Sequence, residues 1–269
     1  MKRFMISALA VFCALSAALL SGCAGGGSSV VDIYTSDPNA SVIRPVPTAV
    51  PDFTPAPSIR PTVGPTEQAT PAPTVPAEAD QSVFDDAAFI GNSVFEGFYR
   101  FGVITHGRFF TKVGLNVNSV YTDHTETGTV PIIDELGQGS YNKVIIQLGQ
   151  NELAWPNVTA FIQKYSDLID DIMLRQPGAK VFIVALPPVT QEYNDADQSG
   201  VNNENISRMN GLLKELAIRR GVVFIDVPEE LYDENGALPS DASSDGLHLN
   251  LKYDRIWADH ICLAVMQAG

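Results

Sequence analysis

From residue 83 onward, short β-branched or aromatic runs alternate with longer stretches whose apolar residues recur every three to four positions. The runs 87–90 (ended by Gly91), 143–148 (stopped by Gly149), 180–186 (closed by Pro187 and Pro188) and 222–227 have strand length and predict buried strands. Between them, Val158, Phe161, Ile162, Tyr165, Leu168, Ile169, Ile172 and Met173 place one apolar stripe on a helix, ended by Gln176-Pro177-Gly178. Ile206, Met209, Leu212, Leu213 and Leu216 mark a second such helix, ended at Gly221. A first helix is predicted over 94–101, and a last one from near Asn250 past Cys262. Strands alternating with helices of this length predict an α/β domain, a three-layer αβα sandwich with a central, mostly parallel sheet. Binding residues in such folds collect beyond the carboxyl ends of the strands.

The pattern before residue 81 is of another kind. Lys2 and Arg3 precede an apolar run over 4–20 that is short for a membrane span, which reads as a signal peptide over 1–22. The junction Leu20-Ser21-Gly22-Cys23 is similar to the lipobox of bacterial lipoproteins, a resemblance that implies acylation of Cys23 and a lipid-anchored, extracytoplasmic protein. Residues 23–80 then carry recurring prolines spaced by Thr, Ala and Val, with no apolar period. Proline lacks a backbone donor and fixes φ, so this stretch is expected to be a disordered, partly extended tether. Residues 81–269 are left to form one domain.

Charge and cysteines narrow the partners. The net charge is −14, and loss of Lys2 and Arg3 with the signal leaves the mature chain more acidic still. That balance argues against a nucleic-acid partner and fits a soluble exported protein. Of three cysteines, Cys13 lies in the signal and Cys23 at the cleavage site, leaving Cys262 on an apolar stretch. No disulfide framework follows, and Cys262 is expected to be a small buried apolar residue. No cluster with metal-ligand spacing is present.

Three short motifs carry candidate chemistry, each at a strand end or a helix start. Ser93 follows the first strand in Gly91-Asn92-Ser93, where a helix start also presents backbone N–H groups; a serine there is often a helix cap. Gly149-Gln150-Asn151-Glu152 follows the strand 143–148, and the Asn151 amide could donate to a developing oxyanion. Asp245-Gly246-Leu247-His248 precedes the last helix; three residues apart across a glycine turn, the carboxylate can reach the imidazole and fix its tautomer.

In that order the motifs resemble those of the SGNH (GDSL-type) hydrolases, over about residue 87 to the C-terminus. Gly91-Asn92-Ser93 matches the first block, Gly114 in Lys112-Val113-Gly114-Leu115-Asn116 the second, Gly149 to Glu152 the third, and Asp245 to His248 the last. The resemblance implies a flavodoxin-like αβα fold and a carboxylic ester hydrolase that needs no cofactor. It implies Ser93 as nucleophile, His248 as base and Asp245 as its orienting acid. The oxyanion hole would be the N–H groups of Ser93 and Gly114 with the Asn151 side chain. Asn92 stands where the family usually has an acid, and Glu152 where it has Asp. Trp155 and Asn92 are expected to line the substrate, and the polar stretch 187–203 to form part of the rim. The implied activity is removal of acetyl or another short acyl group from carbohydrate or cell-wall glycan. An acyltransferase using the same triad on glycan hydroxyls, or a non-catalytic surface binding module, are the alternatives.

Overall fold

The computed structural model describes residues 78–196 and 200–269. The signal peptide, Cys23 and nearly all of the tether lie outside the described residues. Among the described residues there are five strands, β1 (Ala87–Gly91), β2 (Arg108–Thr111), β3 (Lys143–Gln147), β4 (Lys180–Val184) and β5 (Val223–Ile225). All neighbours pair parallel, in the order β2-β1-β3-β4-β5. Six α-helices accompany them: α1 (Ser93–Arg100), α2 (Ile132–Leu136), α3 (Val158–Arg175), α4 (Gln191–Ala196), α5 (Asn203–Arg220) and α6 (Leu251–Ala268).

The apolar runs are continuous because the central strands are covered on both faces. On one face Ile90, Ile146 and Ile183 pack with Phe161 and Leu168 of α3 and Met209 and Leu213 of α5. On the other, Phe89, Ile145 and Phe182 pack with Phe95 and Phe98 of α1 and Trp257 and Ile261 of α6. Phe98 meets Trp257 edge to face at 5.7 Å, which ties α1 to α6. Cys262 is buried in this second layer, and burial pushes its thiol up to about 11.

The sheet is wholly parallel, and β2 is a strand the sequence pattern did not reveal. Its four residues, Arg-Phe-Phe-Thr, start exposed and end buried, and the strand pairs on one side only. This edge strand decides the geometry of the site. β1 leads to β2 on one side and has β3 on the other, so the connections reverse direction beside β1. That switch point opens a crevice at the carboxyl ends. There Gly91 lies in register with both Thr111 of β2 and Gln147 of β3.

One packing feature has a measurable energetic effect. Asp254, in the first turn of α6, is only 5% exposed, and burial pushes its carboxyl up to about 7. Attraction to a helix N-terminus is worth ~0.3–1 kcal/mol and does not offset that desolvation. The folded pKa lies above the unfolded one, so the folded state holds the proton longer. Stability from this residue is therefore full below about pH 4 and is lost as pH rises towards 7. Asp254→Asn removes the charge and keeps the shape. Urea unfolding at pH 8 should show the variant more stable by on the order of 3 kcal/mol, with the two proteins converging at pH 4. Equal stability at pH 8 would show that Asp254 carries no buried charge.

Candidate active site

The first block places a serine and a cap side by side. β1 ends at Gly91, where a Cβ would sit 2.7 Å from Phe95 Cβ, so only glycine lets α1 begin this close to the sheet. Asn92 is the N-cap of α1, and its Oδ1 accepts the Val94 N–H at 3.0 Å. The cap position is thus filled by Asn92, and Ser93 opens the helix with its hydroxyl free for another partner. Asn92 is 1% exposed, which corrects the expectation that it lines the substrate: its side chain is buried in the turn beneath the serine.

That partner is His248. Ser93 Oγ and His248 Nε2 are 3.0 Å apart, and His248 Nδ1 lies 2.8 Å from Asp245 Oδ2. The other carboxylate oxygen, Oδ1, accepts the N–H groups of Leu247 and His248 at 2.9 and 2.8 Å and the Ser243 hydroxyl at 3.0 Å. Asp245 therefore holds its own loop with one oxygen and the imidazole with the other. Partial burial pushes its carboxyl up, but the hydrogen bonds from His248, Leu247 and Ser243 outweigh this and hold it well below the usual carboxylate range. An ionised acceptor at Nδ1 selects the Nδ1–H tautomer and leaves the Nε2 lone pair facing the serine hydroxyl.

The loop's position is fixed from behind. Gly246 has φ +84°, and a Cβ there would meet Tyr193 Cβ at 2.7 Å and Thr190 Oγ1 at 2.8 Å. The Thr190 N–H donates to the Gly246 carbonyl at 2.9 Å. Thr190 is thus a supporting residue that sequence reasoning did not single out; its motif-free position before α4 gave no signal. The rim expected over 187–203 contains α4, and residues 197–199 lie outside the described residues. A groove of about 510 Å³ beside the Asp245 turn is lined by Gln191, Tyr193, Pro239, Ser240 and Ser243, among others.

The second and third blocks meet beyond the carboxyl ends of β2 and β3. Asn151 sits in a one-turn 3-10 helix (Gln150–Glu152) that starts after Gly149, whose φ of +127° makes the sharp exit from β3 possible. Its Nδ2 donates to the Leu115 carbonyl at 2.9 Å, which leaves one amide hydrogen unused. Gly114, next along, has φ +81° and open space where a Cβ would go. Ser93, Gly114 and Asn151 thus follow directly from three strand ends in register, with Asn151 bonded to the loop that carries Gly114. Glu152 is buried, 1% exposed; its Oε1 accepts the Val117 N–H at 2.9 Å and its Oε2 the Gly149 N–H at 3.1 Å. Burial pushes its carboxyl up to about 7 against those two hydrogen bonds. Trp155 is half-buried and packs its ring edge to face on Phe161 at 6.4 Å, at the rim of the core. Among the described residues, no three His, Cys, Asp or Glu side chains are grouped to hold a metal ion.

A serine hydroxyl bonded to an imidazole, with a carboxylate behind the ring, is the arrangement for acyl transfer through a serine. The family model described as GDSL-like lipase/acylhydrolase matches residues 89–255, from β1 through the start of α6. The chain belongs to this GDSL-like lipase/acylhydrolase family. It is an ester-bond hydrolase with the three-layer αβα fold. No curated protein matches the chain. Among solved structures, a GDSL-like lipase from Bacteroides thetaiotaomicron aligns with 17% identity and a TM-score of 0.52, over 72% of this chain and 93% of that one. A Streptococcus pneumoniae protein described as a platelet activating factor gives 21% and 0.53, over 67% and 83%. A carbohydrate esterase family 2 enzyme with its carbohydrate-binding domain, from Corynascus thermopiles (Myceliophthora fergusii), gives 16% and 0.52, over 73% and 68%. At these identities the likeness to each GDSL-type or esterase structure is one of fold.

Proposed function

We propose that this acylhydrolase is a lipid-anchored, extracytoplasmic serine esterase that removes acetyl or another short acyl group from carbohydrate or cell-wall glycan. The observation that carries the reading is the continuous relay Ser93–His248–Asp245, at 3.0 and 2.8 Å. In the proposed reaction Ser93 Oγ attacks the acyl carbon while His248 Nε2 takes its proton. The tetrahedral oxyanion is received by the N–H groups of Ser93 and Gly114 and the unused amide hydrogen of Asn151. Collapse breaks the ester C–O bond, and His248 returns the proton to the departing sugar hydroxyl. Water then attacks the acyl-serine, with His248 again as base, and releases the acid.

Two features support the substrate class. The groove beside the Asp245 turn is lined largely by hydroxyl, amide and acid groups together with Tyr193, a lining suited to a hydroxylated leaving group. The fold is also that of a carbohydrate esterase. The relay is open to water as the acceptor, with the side chains of His248 and Asp245 46% and 54% exposed. The extracytoplasmic site rests on the lipobox-like Leu20-Ser21-Gly22-Cys23 and the proline-rich segment behind it.

The test is acetate release from a panel of acetylated glycans, with Ser93→Ala as control and mass analysis of the glycan product. The expected result is free acetate and a deacetylated glycan, both lost in the variant. Acetyl groups moved to an added acceptor glycan without free acetate would make the protein a transferase. No turnover together with no fluorophosphonate labelling of Ser93 would make it a binding module.

A further inference from the structure

The loop after β2 carries Gly114, yet it is held to the third block by bonds made further along. Inside, the loop is self-contained: Asn116 Oδ1 accepts the N–H groups of Asn118 and Ser119 at 3.0 and 3.1 Å, and Ser119 Oγ accepts the Asn116 N–H at 3.1 Å. Such a loop is braced by its own bonds. It is tied to the 3-10 turn by the Leu115 carbonyl, bonded to Asn151, and by the Val117 N–H, bonded to Glu152. We propose that Glu152 is a positioning residue, whose carboxylate sets the register between the Gly114 loop and Asn151 and so aligns the two donors on the acyl oxygen. This rests on the hydrolase reading above, in which those donors form the oxyanion hole.

The geometry supports it in three ways. Each oxygen takes one backbone N–H, one from the loop and one from Gly149 at the start of its own turn, so the carboxylate is a strut between two chain segments. An acid held nearly out of water is costly, and its retention here needs both bonds. Tyr165 of α3 is the titratable side chain facing it, and burial pushes the Tyr165 phenol well above its usual range, so that neighbour stays neutral. Glutamine cannot replace the strut: one of its two terminal atoms becomes an NH₂, which meets an N–H donor where the carboxylate accepted one. Aspartate keeps both acceptors on an arm one carbon shorter and reaches only part of the way. Glu152 touches no reacting atom, so its effect passes through Gly114 and Asn151.

Kinetics on an activated short-chain acyl ester separate this from a general structural role. Wild-type turnover and its loss in Ser93→Ala are read first; if these fail, the hydrolase reading itself falls. With them in hand, Glu152→Gln should lower kcat by about 10- to 100-fold, the effect of displacing catalytic groups by about an ångström, with KM within threefold of wild type. Glu152→Asp should recover part of that loss. A Glu152→Gln kcat within twofold of wild type, or a KM increase that accounts for the whole loss, overturns the proposal. Should Glu152→Gln not fold, amide hydrogen exchange on the wild-type protein decides. The Val117 N–H is expected to exchange slowly, with the core strands; exchange as fast as exposed loop amides overturns the strut.

Discussion

Replacing Ser93 with alanine is expected to lower kcat on an activated acyl ester by roughly 10⁵- to 10⁶-fold while leaving the unfolding midpoint unchanged. The size follows from the relay. The Ser93 hydroxyl has one bonded partner, His248 Nε2 at 3.0 Å, and its removal leaves the imidazole with no proton to accept. A small residual rate over water should persist, because oxyanion donors and binding act without a nucleophile. The unchanged stability follows from Asn92. With the helix cap supplied by the Asn92 side chain, the serine contributes no capping bond, and alanine is well suited to a first helical position. Had Ser93 been the cap, the same change would cost ~1 kcal/mol. Steady-state kinetics and urea unfolding on the same sample decide both halves. A variant that keeps more than about a hundredth of wild-type kcat would place the nucleophile elsewhere.

The second large effect is expected at Asp245, where asparagine should lower kcat by about 10²- to 10⁴-fold. Asparagine can keep its oxygen on Leu247, His248 and Ser243, so the loop stays folded. Its amide then faces His248 Nδ1, and that nitrogen must become an acceptor. The proton moves to Nε2, which points it at the Ser93 hydroxyl and removes the base. In a buried relay this costs about 10⁴-fold. Here the two side chains are about half exposed, so water competes for the ring and the lower part of the range is included. Asp245→Ala should add a loss of stability, because the three loop donors then lose their acceptor. A fall of less than fivefold in Asp245→Asn would mean that the carboxylate does not select the tautomer. Because Asp245 is held ionised well below the usual range, acidification is not expected to disable the relay through this residue.

Much of this organisation is legible in the chain because it is local or strongly periodic. The runs 87–90, 143–148 and 180–186 become β1, β3 and β4 within two residues at each end, and the stripe from Val158 becomes α3. β2 and α2 are not legible: four and five residues are too few to show a period, and β2 is settled by pairing with β1. Asp245 and His248 stand out because their contact spans one turn. Which of Asn92 and Ser93 takes the helix cap cannot be read locally, since both residue types suit it. That choice is made by tertiary structure, which brings His248 to Ser93. Glu152 reads as a minor departure from a family pattern for the same reason: its second partner, Val117, lies on a loop whose position depends on the unseen edge strand.

The bond between Ser93 and His248 joins residues 155 positions apart, one just after the first strand and the other just before the last helix. In entropy that closure is cheap, because its cost grows only with the logarithm of length. In time it is decisive. A chain made from its N-terminus presents Ser93 155 residues before its base. Until the turn that carries Asp245 and His248 is in place, the serine is an ordinary alcohol with no base beside it. Reactivity at Ser93 therefore waits on a contact that spans most of the domain.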